Sequence, residues 1–171
     1  MAQTTAERIL EAAEIRVRQA GYNGFSFRDL AEDVGIKSAS VHHHFATKEA
    51  LVARMATDYT DRFIAALEEA PPGPPRVARV KDLFRQSVLD DGKMCLCGML
   101  GAEGIGLPPS VTRETKRFFE ALVAALAESM GTWGTNRRTA ALRLVAQLEG
   151  AVLLARAHMD PTVFDEVVDG P

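Results

Sequence analysis

The chain has 171 residues, enough to bury a hydrophobic core as one domain or as two small ones. Its composition, 47% hydrophobic and 25% charged, is ordinary for a globular protein, and a net charge of −3 excludes polyanion binding over the whole surface. No apolar run reaches the roughly 18 residues that cross a bilayer, and the polar N-terminus lacks the order of a signal peptide. We therefore expect a cytoplasmic protein with no membrane partner.

The N-terminal third predicts four helices. Helical periodicity is nearly continuous, and strand signals are nearly absent. Two capping boxes and two glycine stops mark the first two helices: Thr4-x-x-Glu7, Ser26-x-x-Asp29, Gly21 and Gly35. A third short helix is predicted from about residue 37 or 38 to residue 44. Thr47 is predicted to cap a fourth helix, whose apolar stripe is Leu51, Met55, Tyr59, Phe63 and Leu67.

A proline-rich segment, Pro71–Pro75, separates these helices from the rest of the chain. It holds four of the eight prolines and must interrupt a helix. Beyond it, amphipathic segments are predicted at about 76–90 and 95–106. Two longer helices follow, one after Pro109 with apolar residues as far as Met130, and one over about 135–159. Asp160 and Pro161 indicate the start of a last short helix.

The stretch from Val34 to Leu51 contains three consecutive histidines and no acid before Glu49. Two short helices joined around Gly35 are typical of a helix-turn-helix. At 100° per residue, Val41 and Phe45 of the third helix face inward, while Ala39 and His43 point away from the core. Small or hydrogen-bonding residues at the centre of the helix, with donors on its flanks, suit a helix that reads DNA.

These residues resemble the DNA-binding region of the TetR family of bacterial transcriptional regulators. The matching positions are Ile9-Leu10, Ala12-Ala13, Gly21-Tyr22, Leu30-Ala31, Val34-Gly35-Ile36, Ser40-Val41, His43, Phe45, Lys48-Glu49 and Leu51. The resemblance implies an all-α fold of three parts. These are a three-helix helix-turn-helix DNA-binding domain over residues 1–48, a connecting helix and proline-rich break over 49–75, and a helical ligand-binding and dimerisation bundle over 76–171.

The resemblance also implies which residues contact DNA. They lie on the second and third helices and at the start of the fourth: Arg28, Lys37, Ser38, Ala39, Ser40, His42, His43, His44 and Lys48. His42 stands where the family commonly has a tyrosine that holds a phosphate. A metal site is not expected here, because adjacent histidines on a helix diverge by about 100°. The remaining alternative is a solvated polar helix face.

For the C-terminal part, the resemblance implies a small-molecule effector and a homodimer. The effector site is predicted among residues that are mostly apolar: Phe84, Val88, Leu96, Met99, Leu100, Glu103, Phe118, Phe119, Leu122 and His158. Small residues on the two long helices, among them Ala124 and Gly150, favour a two-fold four-helix dimer interface. The alternative is that both apolar stripes pack inside one chain.

The function that these features predict is a dimeric, ligand-responsive repressor that binds double-stranded operator DNA and needs no cofactor. One alternative is a redox- or metal-sensing regulator using Cys95 and Cys97. Residues two apart on a helix face nearly opposite directions, so a disulfide between them requires local unwinding, and buried packing is the simpler interpretation. An enzyme is not expected, because nucleophile elbows, metal-ligand spacings and phosphate loops are missing from the sequence.

Overall fold

The computed structural model describes residues 3–91, 93–131 and 136–170, and every regular element within these ranges is helical. The all-α prediction is confirmed. The α-helices are α1 Thr5–Ala20, α2 Phe27–Val34, α3 Ser38–His44, α4 Lys48–Glu68, α5 Pro74–Asp91, α6 Leu96–Glu103, α7 Pro109–Ala127, α8 Arg137–His158 and α9 Thr162–Asp169. Single 3₁₀ turns occupy Tyr22–Gly24 and Gly104–Gly106. Within the described ranges, no helix combines the length and hydropathy that a bilayer span requires.

Both predicted capping boxes are present. At the start of α1, Thr4 Oγ1 accepts the Glu7 N–H at 3.3 Å, and the Glu7 carboxylate accepts the Thr4 N–H at 2.7 Å. Ser26 and Asp29 make the same reciprocal pair before α2. Thr47 Oγ1 accepts the Ala50 N–H at 3.1 Å and so caps α4. Local side-chain chemistry thus fixes where the first, second and fourth helices begin.

The later helices differ from the prediction in their boundaries. α5 begins at Pro74, inside the proline-rich segment. Proline is tolerated in the first turn of a helix because the N–H that it lacks would have no partner within the helix there. The segment predicted over 95–106 is an α-helix only to Glu103 and then tightens into a 3₁₀ turn. α7 ends at Ala127, before Met130. The predicted start of the last long helix at residue 135 lies outside the described residues.

By internal packing the chain forms two compact units. The first comprises Met1–Tyr59 and Leu96–Lys116, and the second comprises Thr60–Cys95 and Arg117–Pro171. This grouping assigns residues 96–116 to the N-terminal unit, whereas the predicted functional division placed them in the C-terminal part. The roles assigned to residues 1–48, 49–75 and 76–171 remain predictions.

The first unit has its own hydrophobic core. The core residues from α1 to α4 are Ile9, Ala13, Val17, Phe25, Leu30, Ala31, Val34, Val41, Leu51, Val52, Met55 and Ala56. Leu96, Leu100 and Val111 from α6 and α7 are buried in the same cluster. Burial of such side chains stabilises the unit by about 1.5–3 kcal/mol each and holds α3 in place.

The second unit is built from parts of α4, α5, α7, α8 and α9. Its largest fully buried side chains are Leu67, Phe84, Phe118, Leu122, Leu126 and Phe164. Arg85 joins α5 to α9 by donating to Asp165 and to Asp169, each at 2.6 Å. These ion pairs are about one-third exposed or more, so they contribute less to stability than the apolar core does.

Candidate DNA-binding surface

Helix α3 lies with one face in the core of the first unit and the opposite face exposed. Val41 is fully buried, and Ile36 and Phe45 pack against the same core while remaining partly exposed. Ala39 and His43, four residues apart, are exposed. The predicted orientation of this helix is confirmed. Its outward face therefore carries the small and hydrogen-bonding side chains that base-edge contacts require.

The turn before α3 depends on Gly35. This residue has left-handed backbone, with φ 70° and ψ 41°, which glycine adopts without steric cost. The next residue, Ile36, donates its N–H to Ala31 O at 2.9 Å. Lys37 is then extended at the N-cap, and its carbonyl accepts the Ser40 N–H at 2.8 Å. Helices α2 and α3 thus form a helix-turn-helix.

A surface cleft of about 300 Å³ opens beside α3. It is lined by Phe25, Ser26, Phe27, His42, Ala46, Thr47 and Lys48. Because Ser26 caps α2 and Thr47 caps α4, the N-termini of both helices border this cleft. First-turn N–H groups have no acceptor within their own helix and carry partial positive charge. The cleft can therefore bind a phosphate group.

Lys48 also lines the cleft, and its ammonium is bound by other residues of the protein. Nζ donates to Phe25 O at 2.5 Å and lies 4.9 Å from the ring centroid of Tyr22 and 4.3 Å from that of Phe25. Burial lowers the pKa of Lys48, and the negative charge of Glu103 opposes this effect. The ammonium has three N–H donors and Phe25 O accepts one of them, so Lys48 can also donate to a phosphate in the cleft that both residues line.

The other residues predicted to contact DNA are accessible. The exposed ones are Arg28, Lys37, Ser38, Ala39, His42, His43 and His44, and Ser40 is partly exposed. The Arg28 guanidinium pairs with Glu32 at 3.4 Å in a solvated contact that a phosphate can replace. The His42 ring meets the Phe27 ring edge-on, with centroids 4.8 Å apart, and forms part of the cleft wall.

The residues predicted to line an effector site divide between the two units. Leu96, Leu100, Met99 and Glu103 belong to the first unit, where the two leucines are buried in its core. Phe84, Val88, Phe118, Phe119, Leu122 and His158 belong to the second unit, and His158 is exposed there. The effector site therefore remains a prediction, and the structure brings only part of the predicted set together.

An aromatic cluster joins three of these residues in the second unit. Phe63 lies edge-on to Phe84 and to Phe118, with ring centroids 5.6 Å and 5.3 Å apart. Phe118 meets Phe119 at 5.2 Å. The predicted site omitted Phe63, although its place on the apolar stripe of α4 was the available signal.

Cys95 and Cys97 are both buried as thiols. Nearby on α8, the carboxylate oxygens of Glu149 are buried and lack a hydrogen-bond partner of normal geometry within the described residues. Burial raises the pKa of Glu149 to about 7, and the Cys95 thiol lowers it only in part. Among the described side chains, no three of the His, Cys, Asp and Glu type are grouped to hold a metal. These observations give the redox- or metal-sensing alternative no support.

Together, the helix-turn-helix and the cleft beside it define a DNA-binding regulator of the helix-turn-helix class. The sequence model described as "Bacterial regulatory proteins, tetR family" matches residues 9–55. A TetR transcriptional regulator from Legionella pneumophila has 32% identity and a TM-score of 0.91, over 98% of this chain and 95% of that chain. A TetR-family regulator from Agrobacterium tumefaciens has 30% identity and a TM-score of 0.85, over 96% and 93% of the two chains. This chain belongs to the TetR family of transcriptional regulators.

Two curated mycobacterial relatives agree with this assignment. An uncharacterised HTH-type transcriptional regulator from Mycobacterium tuberculosis is 25% identical over 177 residues, covering 96% of this chain and 91% of the relative. The repressor KstR2 from the same species is 35% identical over 57 residues, which is 33% of this chain and 28% of that protein. The relatives are named as regulators of transcription and not as enzymes.

Proposed function

We propose that the protein is a dimeric repressor that binds operator DNA through α3 and is released by a small-molecule effector. The observation that carries the proposal is the cleft bordered by the N-termini of α2 and α4, directly beside the exposed face of α3. In this arrangement a DNA phosphate occupies the cleft while Ser40 and His43 lie toward the base edges of the major groove. The KstR2 likeness supports repression over activation.

The charge on this surface is compatible with DNA. The chain carries a net charge of −3, yet residues 34–48 contain two lysines, three histidines and no acid. Lys37 is exposed within this stretch, and on helix α2 the exposed guanidinium of Arg28 pairs with Glu32 in a solvated contact that a phosphate can replace. Neutralising phosphates in this way releases counterions, so binding is expected to weaken steeply as salt rises.

The proposed dimer rests on α8. Leu142 and Leu153 lie eleven residues apart, on the same side of this helix, and are 42% and 55% exposed. Gly150 lies near them and has open space where a Cβ would stand. An exposed apolar strip with a small residue suits close packing against a second copy of the same helix. A dimer also supplies two copies of α3 as recognition helices, which can enter successive major grooves about 34 Å apart.

The effector is proposed to be an apolar molecule that contacts the aromatic cluster of Phe63, Phe84, Phe118 and Phe119. Phe63 belongs to α4, whose first residue is Lys48 at the phosphate cleft. A displacement of α4 by the effector would change the position of the recognition helix α3 on DNA. A coupling of about 1–3 kcal/mol is typical of such regulation. The effector must weaken operator binding by the same factor by which operator weakens effector binding.

The direct test is to measure binding to DNA that flanks the gene of this protein and then to screen small molecules for release of that DNA. We expect salt-dependent, saturable binding that an effector weakens, and the same DNA must weaken effector binding by an equal factor. Binding that is indifferent to sequence would overturn the operator assignment. An effector whose affinity does not respond to operator would overturn the proposed coupling.

The dimer gives a separate prediction. Leu153→Glu should convert the dimer to a monomer, because it places a charge in an apolar interface, and operator affinity should fall by at least tenfold. Leu89→Glu is the matched control, since Leu89 is 58% exposed on α5 of the same unit and should leave the dimer intact. Light scattering at micromolar concentration measures the outcome. A wild-type monomer would contradict the proposed dimer.

A further inference from the structure

Glu103 holds the connection between α1 and α2, far from its own position in sequence. It is the last residue of α6, and its two carboxylate oxygens accept the Tyr22 N–H at 3.1 and 3.0 Å. The carboxylate also lies against Gly21, where a Cβ would come within 1.8 Å of Oε1. This contact fixes the charge of Glu103 beside the residues that precede α2.

Tyr22 and the nearby Phe25 also contact the Lys48 ammonium. Tyr22 donates its N–H to Glu103, and its ring contacts the Lys48 ammonium. Phe25 accepts a hydrogen bond from Lys48 through its carbonyl oxygen, and its ring contacts the same ammonium. Burial lowers the pKa of Lys48, and the negative charges of Glu103 and, next, Asp29 act in the opposite direction. Glu103 and Lys48 therefore contact the same residue, Tyr22, the carboxylate at its N–H and the ammonium at its ring.

We propose that Glu103 is a positioning residue for DNA binding, whose carboxylate, held by the Tyr22 N–H, competes with a phosphate in the cleft for the charge of Lys48. The inference rests on the proposed function. A phosphate bound at the N-termini of α2 and α4 must compete with Glu103 for this cation. Part of the attraction between Lys48 and DNA is then offset by the loss of its attraction to Glu103.

The test is a double-mutant cycle measured by operator affinity. Glu103→Gln removes the charge but keeps an amide oxygen that can accept the Tyr22 N–H. We expect it to tighten operator binding on the order of threefold, the size of one partly screened charge interaction. Lys48→Ala in the Glu103→Gln background should abolish this gain, because the gain depends on the charge of the Lys48 ammonium.

The control variant is Glu11→Gln, which removes one negative charge from an exposed position on α1 of the same unit. Its effect on affinity should be smaller than that of Glu103→Gln and should not depend on Lys48. If Glu103 only supports the fold, Glu103→Gln will weaken binding or leave it unchanged, and either result overturns the inference. A gain that persists in the Lys48→Ala background also overturns it. If the wild type does not bind operator DNA at all, the proposed function itself fails.

Discussion

Glu149→Gln is expected to make the protein about 3 kcal/mol more stable at pH 8 than the wild type, and to leave its stability nearly unchanged at pH 4.5. The reason is the buried carboxylate of Glu149, whose pKa rises from 4.5 to about 7 in the folded protein. The free energy of unfolding changes by about 1.36 kcal/mol for each unit by which the pKa differs between the two states.

The sign follows from which state binds the proton. Below about pH 4.5 the carboxyl group is protonated in both the folded and the unfolded chain, so its ionisation does not lower the free energy of unfolding. Between pH 4.5 and 7 the unfolded chain releases the proton while the folded chain retains it, and stability falls as pH rises. Above pH 7 the carboxylate is ionised in both states, and the free energy of unfolding falls no further. Glutamine cannot ionise and therefore avoids the loss.

Denaturant unfolding at fixed protein concentration, repeated between pH 4.5 and 8, measures this difference. The matched control is Glu166→Gln, an exposed glutamate on α9 of the same unit, which should shift stability little. A constant difference between Glu149→Gln and wild type across the whole range would show that burial does not control this carboxylate.

Gly21→Ala is expected to destabilise the first unit by about 3 kcal/mol. Gly21 has φ 77° and ψ −175°, a backbone conformation that is costly for any residue with a Cβ, at about 1–3 kcal/mol. The added methyl group would also overlap Glu103 Oε1, at 1.8 Å, and expel the carboxylate that accepts the Tyr22 N–H. Loss of a hydrogen bond to a charged group adds about 1.5–3 kcal/mol.

Thermal unfolding followed by circular dichroism measures the effect of Gly21→Ala. Gly106→Ala is the control in the same unit, because a Cβ at Gly106 meets nothing within 4 Å and needs no positive φ. The two variants should differ strongly in melting temperature. Equal melting temperatures would mean that the backbone near Gly21 relaxes without cost.

The boundaries of the first helices are predictable because they depend on neighbours in sequence. Thr4 and Ser26 each meet an acid three residues later, and Gly35 ends α2 wherever the rest of the chain lies. The inward face of α3 follows from helical periodicity alone, since Val41 and Phe45 are separated by one turn. Local rules therefore identify the helix-turn-helix.

The parts that sequence analysis missed depend on contacts between distant residues. Glu103 was assigned to an effector site as a polar contact among apolar residues, and its carboxylate binds Tyr22, 81 residues earlier. Lys48 was expected to point at DNA, and its ammonium instead lies on Phe25. Glu149 gave no signal, because a glutamate on a long helix is ordinarily exposed.

The central claim is that α3 reads the operator while the cleft beside it holds a phosphate. The most direct measurement is the affinity of wild type, Ser40→Ala, His43→Ala and Lys48→Ala for an operator series in which each base pair is changed in turn. Each unfavourable base pair should cost the wild type about 1–3 kcal/mol. Ser40→Ala and His43→Ala should change which base pairs matter, whereas Lys48→Ala should weaken all sequences by a similar factor. If Ser40→Ala and His43→Ala both keep the wild-type ranking of operator sequences, α3 is not the reading helix.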